Sequence, residues 1–220
     1  MKTRALLCAA ALCAAAQAFA SVPPWVKAAI PAQLPATGDA RAIVLLDDTS
    51  VTVTDAGAIA SRHRRVVKIL TAAGRDDAYV AVWFDNDTKL RSLRGWSIDQ
   101  SGEEYTVKER DAVETNGGDF EVFTDTKMKV LRIPADVGSI VAYEYERNER
   151  PHLLESTWHF QEDIPVARAR YQLTVPNGWT HDVRWLNHAP VAPVGPSTWE
   201  VQSVPPIADE PRRPATASLA

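Results

Sequence analysis

The chain has 220 residues, 45% of them hydrophobic and 24% charged, with 10 Gly, 15 Pro and a formal net charge of -4. It is too apolar and too weakly charged for a disordered chain, too poor in Gly for collagen, and lacks the basic footprint that holds nucleic acid. One large domain or two small ones fit the length.

The first residues read as an address. Lys2 and Arg4 form a basic head, residues 5–16 an apolar run, and Ala18-Phe19-Ala20 a small-x-small exit. In that order they predict a signal peptide over residues 1–20, cleavage near Ala20, and a periplasmic or secreted destination. The run is shorter than the roughly 20 apolar residues of a membrane span, and no later stretch is expected to span. Both cysteines, Cys8 and Cys13, lie in this leader, without the spacing of a lipoprotein signal. The mature chain is therefore expected to hold no disulfide, thiolate metal site or cysteine nucleophile. Loss of Lys2 and Arg4 leaves 22 basic residues against 28 acidic ones.

Residues 21–38 form a Pro-rich opening segment that allows at most a short helix around residues 25–30. A β pattern then runs over residues 39–204. Short strands are expected at 42–46 and 51–54, divided by Asp47-Asp48-Thr49, and a long one at 58–71. Strands at 79–84, 90–98 and 103–108 follow, punctuated by the turns Asp85-Asn86-Asp87 and Asp99-Gln100-Ser101-Gly102. Residues 111–118 read as a loop, 120–123 and 128–133 as strands, and 134–138 as a turn. In residues 140–146, Val141, Tyr143 and Tyr145 share one face. In residues 166–175, Ala167, Ala169, Tyr171, Leu173 and Val175 share one face and Arg168, Arg170, Gln172 and Thr174 the other. Such one-sided strands belong to antiparallel sheets. A last strand spans 198–201, and residues 205–220 read as a Pro-rich tail or linker. The expectation is an all-β, antiparallel sandwich of roughly a dozen strands.

No motif for chemistry stands out. His152 and His159 are seven apart, as are His181 and His188, which on a strand places each pair on opposite faces. His63 sits in a basic run. These read as ordinary surface or edge histidines, and no HExxH helix occurs. Gly138-Ser139 reads as a turn rather than a nucleophile elbow. Phosphate-binding glycine loops are absent, and Asp85-Asn86-Asp87 fails as a calcium loop because Leu90 and Trp96 fill the positions that need Gly and Glu. Arg62, Arg64 and Lys68 share one strand face and Arg65 the other; they read as a solvated face that protects the strand. Of seven tryptophans, Trp83, Trp96, Trp158, Trp179, Trp185 and Trp199 lie in or beside expected strands, and core packing is their default role.

Spread along the chain are segments that together look familiar: "DARAIVLLDD" at 39–48, "RRVVKILTAAGR" at 64–75, "WSIDQSGEEYTV" at 96–107, "IPADVGSIVAYEY" at 133–145, "WHFQEDIPVARARYQLTVPNGW" at 158–179, Trp199, and "ADEPRRP" at 208–214. In order and spacing the chain resembles the exported β-rich domain of unknown function that precedes transglutaminase-like domains in many bacterial proteins. The resemblance implies an antiparallel β-sandwich without catalytic residues, the chemistry belonging to a following domain with a Cys-His-Asp triad. The present sequence stops at Ala220 and its mature part has no Cys, so no triad residue transfers, and an orphan module or a truncated gene product is expected.

The sequence thus points to an exported, non-catalytic accessory module, with no catalytic, cofactor-binding or metal-binding residue. Its expected partner is a protein or cell-envelope component, including a separate transglutaminase-like domain, and not nucleic acid. The rivals are a carbohydrate-binding sandwich that uses exposed tryptophans, favoured by a coplanar Trp pair, and a hydrolase, favoured by a pocket where His and perturbed acidic groups converge. Replacing any one histidine by Ala is expected to abolish no activity.

Overall fold

In the computed structural model, which describes residues 21–31, 36–116 and 125–207, the β-rich runs become ten strands. They are β1 (Ala42–Val53), β2 (Ile59–Ile69), β3 (Tyr79–Phe84), β4 (Thr88–Ile98), β5 (Glu104–Lys108), β6 (Val113–Asn116), β7 (Lys127–Arg132), β8 (Ile140–Glu149), β9 (Val166–Thr174) and β10 (Thr198–Val204), preceded by one helix, α1 (Pro24–Ala29). Seven strands form a large sheet in the order β10-β9-β1-β2-β8-β4-β5, and three form a small sheet in the order β3-β7-β6.

The fold is all-β as expected, with differences of detail. The large sheet is mixed, because β1 pairs with β9 in parallel. All of β2 to β8 lies between those two strands, enough chain for the crossover that a parallel pair needs. The two strands expected on either side of Asp47-Asp48-Thr49 are one strand, since Asp47 is buried against partners on β2 instead of turning the chain. Residues 113–116 of the expected loop pair with β7. The strand expected at 120–123 lies outside the described residues.

β1 explains how the large sheet is buried on both sides. Its first six residues are all buried, as in a strand covered on both faces. Ala42 and Val44 pack with Val67, Ile69, Val141 and Ala169 on the face that the small sheet also covers. Ile43, Leu45 and Leu46 pack with Val26, Ala29, Val66 and Trp96 on the helix face. The register against β2 shifts between Val44 and Leu46. This bulge lets Leu45 and Leu46 both face the helix and turns Asp47 inward. β9 follows β1 through the irregularity, so Ala167 packs toward the helix while Ala169 packs inward. The shared face expected for those two alanines is therefore corrected.

The Pro-rich opening segment contributes core. Val22, Val26 and Ala29 are buried, Trp25 packs edge-on against Trp96 at 5.8 Å, and Glu104 accepts the Val22 N–H at 2.8 Å while pairing with Lys27 at 2.5 Å. Arg62, Arg64 and Lys68 do share the helix face, opposite Arg65, but that face is not simply solvated. The Arg64 guanidinium lies 5.0 Å above the Trp25 ring and pairs with Glu144, and Lys68 donates to the Gly138 carbonyl.

On the other face, Val80, Val82 and Leu131 of the small sheet pack on Leu93. Gly95 makes that approach possible, since a Cβ there would lie 2.8 Å from Ile133 Cγ1. Beyond the small sheet, the same face is covered by two irregular segments, residues 150–165 and 175–197. Trp158, Trp179 and Trp185 belong to these segments and not to strands, as do His152, His159, His181 and His188. The alternation argument therefore does not apply to those histidines. Trp96 and Trp199 are core, whereas Trp83 and Trp179 are exposed.

Candidate functional site

Three adjacent strands bring a polar cluster into the apolar inner face. Asp47 of β1 stands opposite Arg65 of β2, which stands opposite Tyr143 of β8; one step along, Thr49, His63 and Tyr145 form the next row, and then Val51, Ser61 and Arg147. Side chains in such rows reach one another directly or diagonally. Asp47 Oδ1 lies 3.0 Å from His63 Nε2, and Asp47 Oδ2 accepts from Arg65 Nη1 at 3.0 Å. Arg65 Nη2 donates to Glu162 Oε2 at 2.7 Å. The rings of Tyr143 and Tyr145 stand edge-on to His63 at 5.6 and 5.2 Å.

The segment that carries Glu162 closes the site as a strap. Tyr171 and Ser156 hydroxyls meet at 3.3 Å, and Trp158 packs on Tyr171 and Phe160. The strap is tied at its far end by the Ile207 N–H to the Glu162 carbonyl at 2.7 Å and by Arg41 to Asp163 at 3.0 Å. Between strap and sheet is a cavity of about 430 Å³ whose lining includes Asp47, Ser61, His63, Arg147, Trp158 and Tyr171.

Burial opposes the charge on Asp47, but the facing His63 and Arg65 outweigh it and hold the carboxyl below its ordinary range. Burial pushes the Tyr143 and Tyr145 phenols up, with Arg65 and Arg147 respectively opposing. Since the ionised Asp47 can only accept, His63 Nε2 carries the proton that it donates, and in the neutral ring Nδ1 is a bare lone pair. Nδ1 is buried without a partner, and so are Ser61 Oγ, Arg147 Nε and Trp158 Nε1. An oriented Asp-His pair is half of a hydrolytic triad. Among the described residues no nucleophile is bonded to the pair: Ser61 Oγ and His63 Nδ1 are both without a hydrogen-bond partner. Among the described residues no group of three or more His, Cys, Asp and Glu could hold a metal ion, and no helix is long and apolar enough to cross a membrane.

Sequence reasoning assigned none of these residues to a site. It read Asp47 as a turn and His63 as part of a basic run. The usable signal was the one-sidedness of β2: Ser61, His63 and Arg65 share their face with Val67 and Ile69, which are buried.

A second feature is the outer face of the small sheet. β3 presents Tyr79, Ala81 and Trp83 outward, opposite Arg132, Val130 and Met128 of β7, and β6 adds Val113 and Thr115. Tyr79, Trp83 and Val113 are 46%, 45% and 67% exposed. A sheet face turned to water is ordinarily polar; this one is mostly apolar. β3 is also an edge strand of that sheet. The Trp rings in contact elsewhere, Trp25 with Trp96 and Trp158 with Trp185, meet edge-on and form no coplanar pair.

The architecture recurs in a solved structure. A crystal structure of a "putative protease" from Parabacteroides distasonis is similar over 79% of this chain at a TM-score of 0.63 and 14% identity. Yeast leukotriene A4 hydrolase is similar over 84% of the chain at a TM-score of only 0.37 and 9% identity. The chain spans 38% of the first structure's length and 32% of the second's. No curated protein matches it. Residues 55–208, from the turn before β2 to just past β10, match the family described as "Domain of Unknown Function with solved-structure structure (DUF3857)", and the chain belongs to that family.

Proposed function

We propose that this chain is an exported, non-catalytic interaction module that docks a protein partner on the small sheet. The observation that carries this reading is the outer face of β3, β7 and β6, where Tyr79, Trp83 and Val113 stand exposed around Val130 and Met128. A contiguous apolar patch on a sheet is a characteristic of protein-binding surfaces. The edge of β3 beside it, which no other described strand pairs, offers main-chain groups for strand addition. The partner we infer is a transglutaminase-like domain, the neighbour implied by the sequence resemblance. In the similar Parabacteroides structure, too, this fold makes up only part of a longer chain.

The test is calorimetric titration of the chain with a purified transglutaminase-like domain from the same organism. Binding that Tyr79→Ser with Trp83→Ser weakens at least tenfold supports the reading. Binding indifferent to both substitutions, or no binding, overturns it. Concentration-dependent dimers sensitive to the same substitutions would replace the partner by a second copy.

A hydrolase reading has one observation in its favour, the Asp47–His63 pair with its free imidazole nitrogen. It requires a nucleophile that no contact supplies. Turnover of an ester or amide substrate that is lost in His63→Ala would revive it.

A further inference from the structure

The strap behaves as a strand that lacks a strand partner. Between residues 157 and 164 its side chains alternate: Trp158, Phe160, Glu162 and Ile164 are half-buried or buried, whereas Thr157, His159, Gln161 and Asp163 are exposed. The inward set packs on the sheet, Trp158 against Tyr171 and Phe160, and Glu162 against Arg65. A period of two is that of extended chain. Yet no main-chain N–H or C=O of residues 155–161 hydrogen-bonds to any described residue. The next carbonyl does: Glu162 C=O accepts the Ile207 N–H where the chain leaves β10.

The cavity runs along the edge of this unpaired segment. Its lining includes Thr157 and His159 of the outward set together with Trp158 and Glu162 of the inward set. Side chains of successive residues point to opposite faces, so what these residues present in common to one space is their main-chain edge. A row of unpaired main-chain groups bordering a groove is a template for strand addition.

Side chains define the peptide that fits. A strand laid beside the strap turns every second side chain toward Val51, Ile59 and Tyr145, which also line the groove and suit apolar groups. The remaining side chains lie beside the outward strap residues. Of these, Asp163 is already paired with Arg41, whereas Glu155 is exposed and has no ion pair with a described residue. Opposite charges are the favourable cross-strand neighbours, so a Lys or Arg belongs beside Glu155.

We propose that the main-chain edge of residues 155–161 binds an extended peptide by strand addition, with apolar side chains turned inward and a basic one beside Glu155. This surface is separate from the apolar face of the small sheet, so either can fail without the other.

The experiment is an NMR titration of the isotopically labelled chain with end-blocked hexapeptides. One alternates Val and Lys, and a second alternates Val and Glu. Two more are the Val-Lys peptide N-methylated at every Val or at every Lys. The Val-Lys peptide should give saturable shifts at the amides of residues 155–161 and slow their hydrogen exchange. Alternate residues of a strand direct their N–H groups to the same edge, so one methylated version should bind about tenfold or more weakly, the equivalent of at least one lost hydrogen bond, and the other should bind like the parent. The Val-Glu peptide should bind more weakly than the Val-Lys peptide, and Glu155→Gln should narrow that difference without lowering the melting temperature. Four results would overturn the proposal: no saturable shift with the Val-Lys peptide, shifts centred on β3 instead of the strap, equal binding by both methylated versions and their parent, or indifference to the change from Lys to Glu.

Discussion

Asp47 is a carboxylate held in a sheet interior by two partners on the neighbouring strand. Removing one member of a buried charged cluster leaves the others uncompensated. Asp47→Asn should therefore cost about 3 kcal/mol or more, read as a lower urea midpoint at unchanged slope. The pH dependence follows in sign. The folded carboxyl is held below its ordinary value, so the unfolded chain binds the proton more readily. The stabilisation is complete above the unfolded carboxyl's pKa, about 3.9, and is lost as pH falls through the lower folded value. The stability gap between the parent and Asp47→Asn should accordingly narrow between neutral pH and about pH 2; a gap that stays constant would refute the assignment. None of this was legible in "LLDDTSV", because the partners of Asp47 lie 16 and 18 residues away. Two adjacent acids before Thr and Ser look like a turn, and only the bulge at Leu45 and the pairing with β2 make them a strand.

At the scale of elements, alternation and turn chemistry carried most of the fold. The Asp99 turn formed as expected, with the carboxylate accepting from the Ser101 and Glu103 N–H groups and Gly102 at φ +89°. The Asp85 turn formed in the same way. The parallel pairing of β1 with β9 was not legible, since no local pattern records which distant strand is the neighbour. Nor was the docking of the small sheet, which depends on Gly95. An isolated glycine in a strand reads only as a weak point or a close approach, and here it is the approach, with Ile133 and Leu131 over it. Gly95→Ala should overpack that contact and cost about 1–3 kcal/mol. Gly195→Ala, where the nearest atom to the new Cβ lies 3.9 Å away, should be close to neutral. Thermal denaturation of the two variants side by side checks this, and equal melting temperatures would mean that the small sheet yields without strain.

At the scale of the molecule, the two faces of the small sheet have opposite duties. Its inner residues Val80, Val82 and Leu131 are buried on the large sheet, and their burial contributes to folding at roughly 25 cal/mol per Å² of apolar surface. Its outer residues Tyr79 and Trp83 remain almost half exposed, so they contribute far less to the folded state of the isolated chain. If that surface serves a partner, stability and association must separate under mutation. The pair Tyr79→Ser and Trp83→Ser should shift stability by about 0.5 kcal/mol or less per site, as surface substitutions do, while weakening partner binding at least tenfold. Val82→Ala should do the reverse, lowering the melting temperature and leaving the affinity of the remaining folded protein unchanged. A large loss of stability in the Tyr79/Trp83 pair would show instead that the face is covered within its own chain, and the docking role would then pass to another surface.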